Sequence, residues 1–182
     1  MYKYIAFNKP YGVLCQFTSE TGVRNLSEFN LPPNVYPVGR LDKDSEGLLL
    51  LSDDGQFIDR VLHPKFEKTK SYLVQVDGDP SNMAIKDLEA GPVIKGHKCK
   101  KCSVQKLADF DLPPREPPIR VRKNIPTTWL RITITEGKNR QVRRMTAAVG
   151  HPTLRLIRES IGGFTMANLA PGQWININKS DI

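Results

Sequence analysis

Glycine and proline interrupt this chain so often that few segments are long enough for extended regular structure. The 182 residues include 13 glycines and 14 prolines, with short apolar runs between them. Because both residue types end helices and strands, the chain should turn back on itself repeatedly. Brief strands joined by tight turns, with a few flanking helices, predict an α+β fold with a mixed but largely antiparallel sheet.

Residue periodicity locates the individual segments. Alternation or short apolar runs predict strands at 2–7, 13–17, 48–51, 70–76, 93–107, 129–135, 154–157 and 172–177. Helical spacing predicts helices at 56–62, at 80–90 with Ser81 as the N-cap, and at 139–149. Strands therefore outnumber helices along the chain.

Two segments concentrate positive charge. A proline-rich segment at about 109–126 also carries Arg115, Arg120, Arg122 and Lys123, and it predicts a stiff basic loop within one domain. In the helix predicted at 139–149, Val142, Met145 and Val149 fall on one side, and Arg140, Arg143 and Arg144 fall on the other. One helix face should pack and the opposite face should be cationic.

The overall charge favours an anionic partner. Lys and Arg total 27 against 19 Asp and Glu, which gives a formal net charge of +8 and a pI near 9.5. The sequence has no apolar run long enough to cross a bilayer, and its start does not resemble an export signal. We therefore expect a cytoplasmic protein with no membrane partner.

The three cysteines have two alternative interpretations. Cys99 and Cys102 form a C-x-x-C pair near His97, which offers three possible zinc ligands. A structural zinc site needs four, and no second pair stands at finger-like spacing, so ordinary strand or turn cysteines are favoured at about nine to one. An odd number of cysteines also fits a reducing compartment. We expect no metal.

An acidic turn at 42–47 is the strongest candidate for chemistry. Asp42 follows Gly39-Arg40-Leu41 and precedes a second acidic residue, Asp44, in a tight turn between predicted strands. A solvated acidic turn is the simplest interpretation of this segment alone. The order Asp42-x-Asp44-x-Glu46-Gly47 also mimics the start of a calcium-binding EF-hand loop. Such a loop lies between two helices, whereas the segments on either side here resemble strands, so we assign calcium binding a probability of about one in twenty. Hydrolase elbows and zinc-hydrolase motifs are absent from the sequence.

Several linked motifs resemble the RsuA-like pseudouridine synthases. They are Asn8-Lys9-Pro10-Tyr11-Gly12, Gly39-Arg40-Leu41-Asp42, Lys70-Ser71-Tyr72, the segment 136–145 (EGKNRQVRRM) and the segment 156–162 (LIRESIG). Their order and spacing match the family from near residue 8 to about Trp174. The stretch Pro117-Pro118-Ile119-Arg120 and the pair Asn139-Arg140 resemble a branch of this family that acts on large-subunit ribosomal RNA.

The resemblance implies an isomerase that converts a specific uridine of bacterial 23S rRNA to pseudouridine without a cofactor. It assigns the catalytic role to Asp42, a pocket and proton-relay role to Tyr72, and a charge-pairing role to Lys138. The implied RNA contacts are Arg40, Arg140, Arg143, Arg144, Leu156, Ile157 and Arg158. It further implies one catalytic domain over 1–182, with two subdomains sharing one sheet, and we expect a monomer. Most RsuA-like proteins carry an S4-like RNA-binding domain ahead of the catalytic part, whereas here the opening motif begins almost at Met1. We therefore expect either a branch of the family without an S4 domain or a chain from which a preceding segment was trimmed.

A protein of another class would keep the same basic surface. A non-catalytic RNA-binding or ribosome-assembly protein also needs cationic loops and helices. Such a protein has no need of the Asp42 carboxylate, which should repel phosphate. Asp42 therefore discriminates between the two functions.

Overall fold

The computed structural model describes residues 1–18, 20–120, 122, 124–166 and 168–182. Its strands are β1 (Tyr4–Lys9), β2 (Tyr36–Pro37), β3 (Glu46–Ser52), β4 (Lys70–Asp77), β5 (Val93–Ile94), β6 (His97–Lys98), β7 (Ser103–Leu107), β8 (Thr127–Ile134), β9 (Thr153–Ile161), β10 (Phe164–Thr165) and β11 (Trp174–Asn176). The α-helices are α1 (Gly55–Leu62), α2 (Asn82–Glu89) and α3 (Gln141–Ala148), and short 3-10 turns occupy Leu26–Phe29, Pro64–Phe66 and Lys179–Asp181.

The chain divides into two compact units. Unit 1 comprises Met1–Lys68 and Ile157–Ile182, and unit 2 comprises Thr69–Leu156. Strand pairing is antiparallel in most places, whereas β3 and β9 pair in parallel. The α+β class with a mixed, largely antiparallel sheet is therefore confirmed. No helix within the described ranges is long and apolar enough to span a membrane.

Unit 1 is organised around β3, whose seven residues are all buried. Its strands run in the order β11-β1-β3-β9, with β2 also pairing with β3. Leu49 and Leu51 point into one apolar cluster, and Leu48 and Leu50 point into another on the opposite face, beside α1. Burying a leucine side chain contributes about 1.5–3 kcal/mol, so this strand is a major source of stability. The predicted buried strand at 48–51 is confirmed.

Unit 2 pairs β4, β8 and β7 in that order, with antiparallel registers throughout. Alternate residues of β4 and β8, including Val74 and Ile132, face one apolar cluster. Leu88 of α2 and Met145 of α3 complete that cluster. Ser81 caps α2 as predicted, since its hydroxyl accepts the Ala84 N–H at 3.2 Å.

Two strand predictions were wrong. Segment 13–17 forms an isolated bridge at Leu14 to Asn25 instead of a strand, because its backbone bonds to the loop at 24–26. Segment 93–107 is broken into β5, β6 and β7. Lys95 and Gly96 both have positive φ, which makes a tight hairpin turn between β5 and β6.

Candidate active site

The turn at 39–45 in unit 1 presents Arg40 and Asp42 on either side of a buried anchor. Leu41 is 7% exposed and packs in the cluster that holds Ile5 and Phe7. Arg40 is exposed and Asp42 is half-buried. Because Leu41 points into the core, its two neighbours must point towards the surface. The turn therefore presents one cation and one carboxylate, two residues apart in sequence, at the surface of unit 1.

Hydrogen bonds from the segment at 12–15 fix the backbone of this turn. The Cys15 thiol donates to the Leu41 carbonyl at 3.2 Å and accepts the Leu41 N–H at 3.3 Å. Gly12 N–H donates to the Lys43 carbonyl at 2.8 Å, and Ser45 N–H donates to the Asp42 carbonyl at 3.0 Å. Burial raises the pKa of the Cys15 thiol, which therefore stays protonated and able to donate. Asp42 thus rests on a well-ordered backbone.

Lys9 places a buried ammonium beside the acidic turn. Its side chain is fully buried and donates to the carbonyls of Pro10 at 2.9 Å and Val13 at 2.8 Å. Burial lowers the pKa of Lys9 to about 8, and electrostatic interactions with Cys15 and with the carboxylates of Glu46, Asp44 and Asp42 oppose that shift. Lys9 and Asp42 therefore interact electrostatically.

Ile157 and Arg158 lie beside the start of β3. In the parallel pairing of β3 with β9, Ile157 lies opposite Glu46 and Arg158 lies opposite Gly47. Gly47 has φ +102°, and a Cβ there would lie 2.4 Å from the Arg158 carbonyl oxygen, so only glycine permits this approach. The Arg158 side chain is 4% exposed, and its Nε donates to the Leu48 carbonyl at 2.7 Å. Unit 1 thus brings Arg40, Asp42, Ile157 and Arg158 into one neighbourhood.

The remaining candidates lie in unit 2. Tyr72 of β4 is 8% exposed, faces the core cluster and sits opposite Ile132. Leu156 is buried in the same cluster. Lys138 and Arg140 are exposed on the turn before α3. The predicted convergence of Tyr72 and Lys138 on Asp42 stays a prediction, because the residues belong to different units.

The buried side-chain amide of Gln141 fixes the turn that carries Lys138. Gln141, which is 3% exposed, accepts the Lys138 N–H at 2.9 Å and donates to Glu136 at 2.5 Å. Glu136 also accepts the Lys100 N–H at 2.8 Å. Burial works to raise the pKa of Glu136, but these hydrogen bonds outweigh it and the pKa is lowered. A charged Glu136 therefore helps to fix the backbone that carries Lys138.

Helix α3 confirms the predicted separation of its faces. Val142 and Met145 are buried in unit 2, whereas Arg143 and Arg144 are half-exposed. Arg140 precedes the helix at φ 51°, so the helix begins two residues later than predicted. Arg144 donates to the Asn139 side chain at 2.7 Å. In the proline-rich loop, Lys123 lies outside the described residues.

The cysteine pair has structural contacts. Cys99 is buried in the unit 2 cluster, and the Cys102 thiol donates to the Leu88 carbonyl at 3.2 Å. His97 Nε2 lies 3.7 Å from a Glu136 oxygen. Within the part of the chain that the structure describes, no group of three or more His, Cys, Asp or Glu is placed to hold a metal ion.

Sequence reasoning gave no role to Lys9, Cys15 or Gln141. One of these had a detectable signal: Gln141 precedes Met145 by one helical turn, so it shares the packed face and should be a buried amide. Lys9 interacts electrostatically with the acidic turn, and Cys15 hydrogen-bonds to it, across about 30 residues of sequence, which no local pattern reveals.

Comparison with known proteins agrees with this architecture. Residues 3–148 match the protein-family model described as RNA pseudouridylate synthase. A protein of Xanthomonas campestris pv. campestris named ribosomal large subunit pseudouridine synthase E is 51% identical over 173 residues, which cover 93% of this chain and 92% of the relative. A protein of the same name from Vibrio vulnificus is 48% identical over 176 residues, 97% of this chain and 75% of the relative. A crystal structure of a pseudouridylate synthase superimposes with a TM-score of 0.81 at 28% identity, covering all of this chain and 72% of that one.

Proposed function

Because this chain belongs to the RNA pseudouridylate synthase family, we propose that it isomerises one uridine of large-subunit (23S) ribosomal RNA with Asp42 as the catalytic carboxylate. The family makes the chain an isomerase. The ribosomal substrate is supported by the names of relatives that are about half identical over nearly the whole chain. We further propose that the protein acts as a monomer in the cytoplasm and needs no cofactor.

The observation that carries the proposal is the way the Asp42 turn is held. Leu41 anchors it in the core, and Cys15 and Gly12 hydrogen-bond its backbone on both sides of Asp42. A half-buried carboxylate on such a turn needs little reorganisation before it acts. A merely solvated acidic turn has no need of this support.

The chemistry requires a carboxylate in its charged form. The N1–C1′ bond of the uridine breaks and its electron pair leaves with uracil. Asp42 either attacks C1′ or stabilises the electron-deficient sugar while the base turns. A new bond then forms between C5 and C1′, the proton on C5 is removed, and N1 regains a proton. Lys9 and Lys138 would supply positive charge that attracts the Asp42 carboxylate.

Tyr72 would stack against the uracil and carry the proton from C5. This role needs the uridine withdrawn from its helix, and Arg40, exposed two residues from Asp42, is suited to hold the vacated position. Leu156 and Ile157 would form the apolar wall of the uracil site. The remaining proposed RNA contacts are Arg140, Arg143, Arg144 and Arg158.

The test compares wild type with Asp42→Asn on unmodified bacterial rRNA. Wild type should convert one uridine, as read by pseudouridine mapping. Asp42→Asn should bind rRNA within about twofold of wild type yet give no detectable product, because the amide cannot act as an anionic nucleophile.

Asp53→Asn is the matched control. Asp53 follows the opposite end of β3 and accepts the Lys3 N–H, which an asparagine oxygen can also do. Its activity should equal that of wild type. Binding of rRNA by wild type without conversion of any uridine would instead indicate the non-catalytic RNA-binding protein.

A further inference from the structure

A solvent-facing aromatic ring surrounded by cations follows helix α1 in unit 1. Phe66 is 41% exposed at the end of the 3-10 turn Pro64–Phe66. The Lys65 ammonium lies 4.8 Å from its ring centroid and the Arg60 guanidinium 5.9 Å. The His63 ring meets it edge-on at 6.0 Å. We call Arg60, His63, Lys65 and Phe66 the Phe66 platform.

The platform is built on an ordered backbone. His63 N–H donates to the Asp59 carbonyl at 2.8 Å, and Phe66 N–H donates to the His63 carbonyl at 3.1 Å. The His63 ring accepts the Lys65 N–H at 3.3 Å. The backbone that carries the ring is therefore fixed before a ligand arrives, so the protein would lose little conformational entropy when a ligand stacks on the ring.

Packing places this platform next to the Asp42 turn. A Cβ on Gly39, the residue before Arg40, would lie 2.9 Å from Leu62 Cδ2, and Gly39 has φ +78°. Leu62 is the last residue of α1 and directly precedes His63. Both segments belong to unit 1. The segment that carries Asp42 and the segment that carries Phe66 therefore approach each other where Gly39 meets Leu62.

Core packing does not account for Phe66. Among the described residues, the apolar clusters of both units are formed without it. An exposed phenyl ring contributes little to folding, whereas an aromatic face with adjacent cations suits an unstacked nucleic-acid base and its phosphates. Segment 59–68 holds three cations against two anions, a net charge of +1. With so little excess charge, stacking should carry most of the affinity.

We propose that the Phe66 platform binds a nucleotide flanking the target uridine, with its base stacked on Phe66 and its phosphates beside Arg60 and Lys65. This rests on the proposed function, because an enzyme that extrudes a uridine also unstacks the neighbouring base. The occupant is a single-stranded stretch of the substrate RNA. The platform would thereby hold the strand in the position that delivers the uridine to Asp42.

The first test is a substitution series at Phe66. Phe66→Ala should raise KM on an rRNA fragment about tenfold, since stacking on an aromatic side chain is worth roughly that much per base, while the single-turnover rate at saturating protein stays unchanged. Phe66→Trp should restore the KM. Tyr2→Ala is the matched control, because Tyr2 is also exposed, at 62%, and precedes the strand β1 whose first residue pairs with the far end of β3.

The second test locates the stacked base. A 2-aminopurine placed at successive positions beside the target uridine should be quenched on binding wild type at one position, and Phe66→Ala should abolish that quenching. Equal KM and equal fluorescence for wild type and Phe66→Ala would overturn the proposal. So would a Phe66→Ala defect confined to protein-containing ribosomal particles, which would indicate a protein occupant.

The failure of this proposal is distinguishable from failure of the proposed function. If wild type converts no uridine, the catalytic proposal fails whatever Phe66 does. If wild type converts its uridine and Phe66→Ala matches it in every measurement, only the platform fails. Circular dichroism melting of each variant confirms that folding is retained.

Discussion

Lys9 takes a charge-bearing side chain into the interior of unit 1. Its two hydrogen bonds to backbone carbonyls offset only part of the cost of removing an ammonium from water, and its pKa falls to about 8. This buried ammonium interacts electrostatically with the carboxylates of Asp42, Asp44 and Glu46. A buried cation beside a cluster of carboxylates fits a role in the electrostatics of the turn.

Lys9→Met should change how stability depends on pH. The folded pKa of Lys9, about 8, lies below the unfolded value of 10.5, so the unfolded chain binds the proton more tightly. The penalty is complete below pH 8 and is lost as the pH rises towards 10.5, so wild type should gain up to roughly 3 kcal/mol relative to Lys9→Met across this window. Urea unfolding at pH 7 to 10 measures the difference, and parallel profiles would contradict it.

Single residues also show what could be predicted at the site. Asp42 was predicted from the motif around it, and the structure places it on a supported turn. The contacts of Cys15 with Leu41 could not be predicted, because 26 positions separate the two residues and the predicted strand at 13–17 does not form. Local patterns identify a chemical group more readily than its support.

Among the secondary-structure elements, α1 depends on one carboxylate. Asp54 caps the helix by accepting the Phe57 N–H at 3.1 Å. Its other oxygen accepts the Lys179 ammonium at 2.8 Å and the Tyr4 hydroxyl at 2.6 Å. These bonds, led by that of Lys179, lower the pKa of Asp54 to about 2. Asp54 therefore joins the helix start to β1 and to the segment near 179.

Substitutions at Asp54 should separate the cap from the charge. A depressed pKa contributes stability above the ordinary value near 4 that is lost as the pH falls towards 2. Asp54→Asn keeps a capping oxygen, so its deficit relative to wild type should shrink between pH 5 and pH 2. Asp54→Ala should lose about 1 kcal/mol more at every pH. Urea unfolding of both variants tests this, and equal stability of the two would refute the capping role.

The success of element prediction follows the strength of local signals. The helices and the strands β3, β4 and β8 were predicted within a few residues, because capping residues and regular alternation mark them. Segment 93–107 was predicted as one strand although Lys95 and Gly96 form a hairpin turn there. A lysine at positive φ gives no sequence warning, so the break was missed.

For the whole molecule, the family predicted from linked motifs is confirmed by the match over residues 3–148 and by close relatives. The fold class is confirmed as well. The amino-acid composition gives a formal net charge of +8, which predicts an anionic partner but does not locate the active site. The arrangement of the two units around Asp42 stays a prediction.

Charge should govern RNA binding by the whole molecule. Replacing Arg143 and Arg144 with glutamine removes two cations from the exposed side of α3. The slope of log affinity against log salt concentration should then fall by up to about two. Filter binding of rRNA fragments at salt concentrations from about 50 to about 300 mM measures this slope. An unchanged slope would exclude these residues from phosphate contact.

The parallel pairing of β3 with β9 has a consequence for biosynthesis. Glu46 leaves the ribosome about 110 residues before its partner Ile157. Unit 2 is continuous in sequence and can therefore acquire its structure while unit 1 still lacks the residues from Ile157 onwards, including most of β9. The nascent chain should consequently lack the complete sheet of unit 1, which carries Asp42, until Ile157 has been translated.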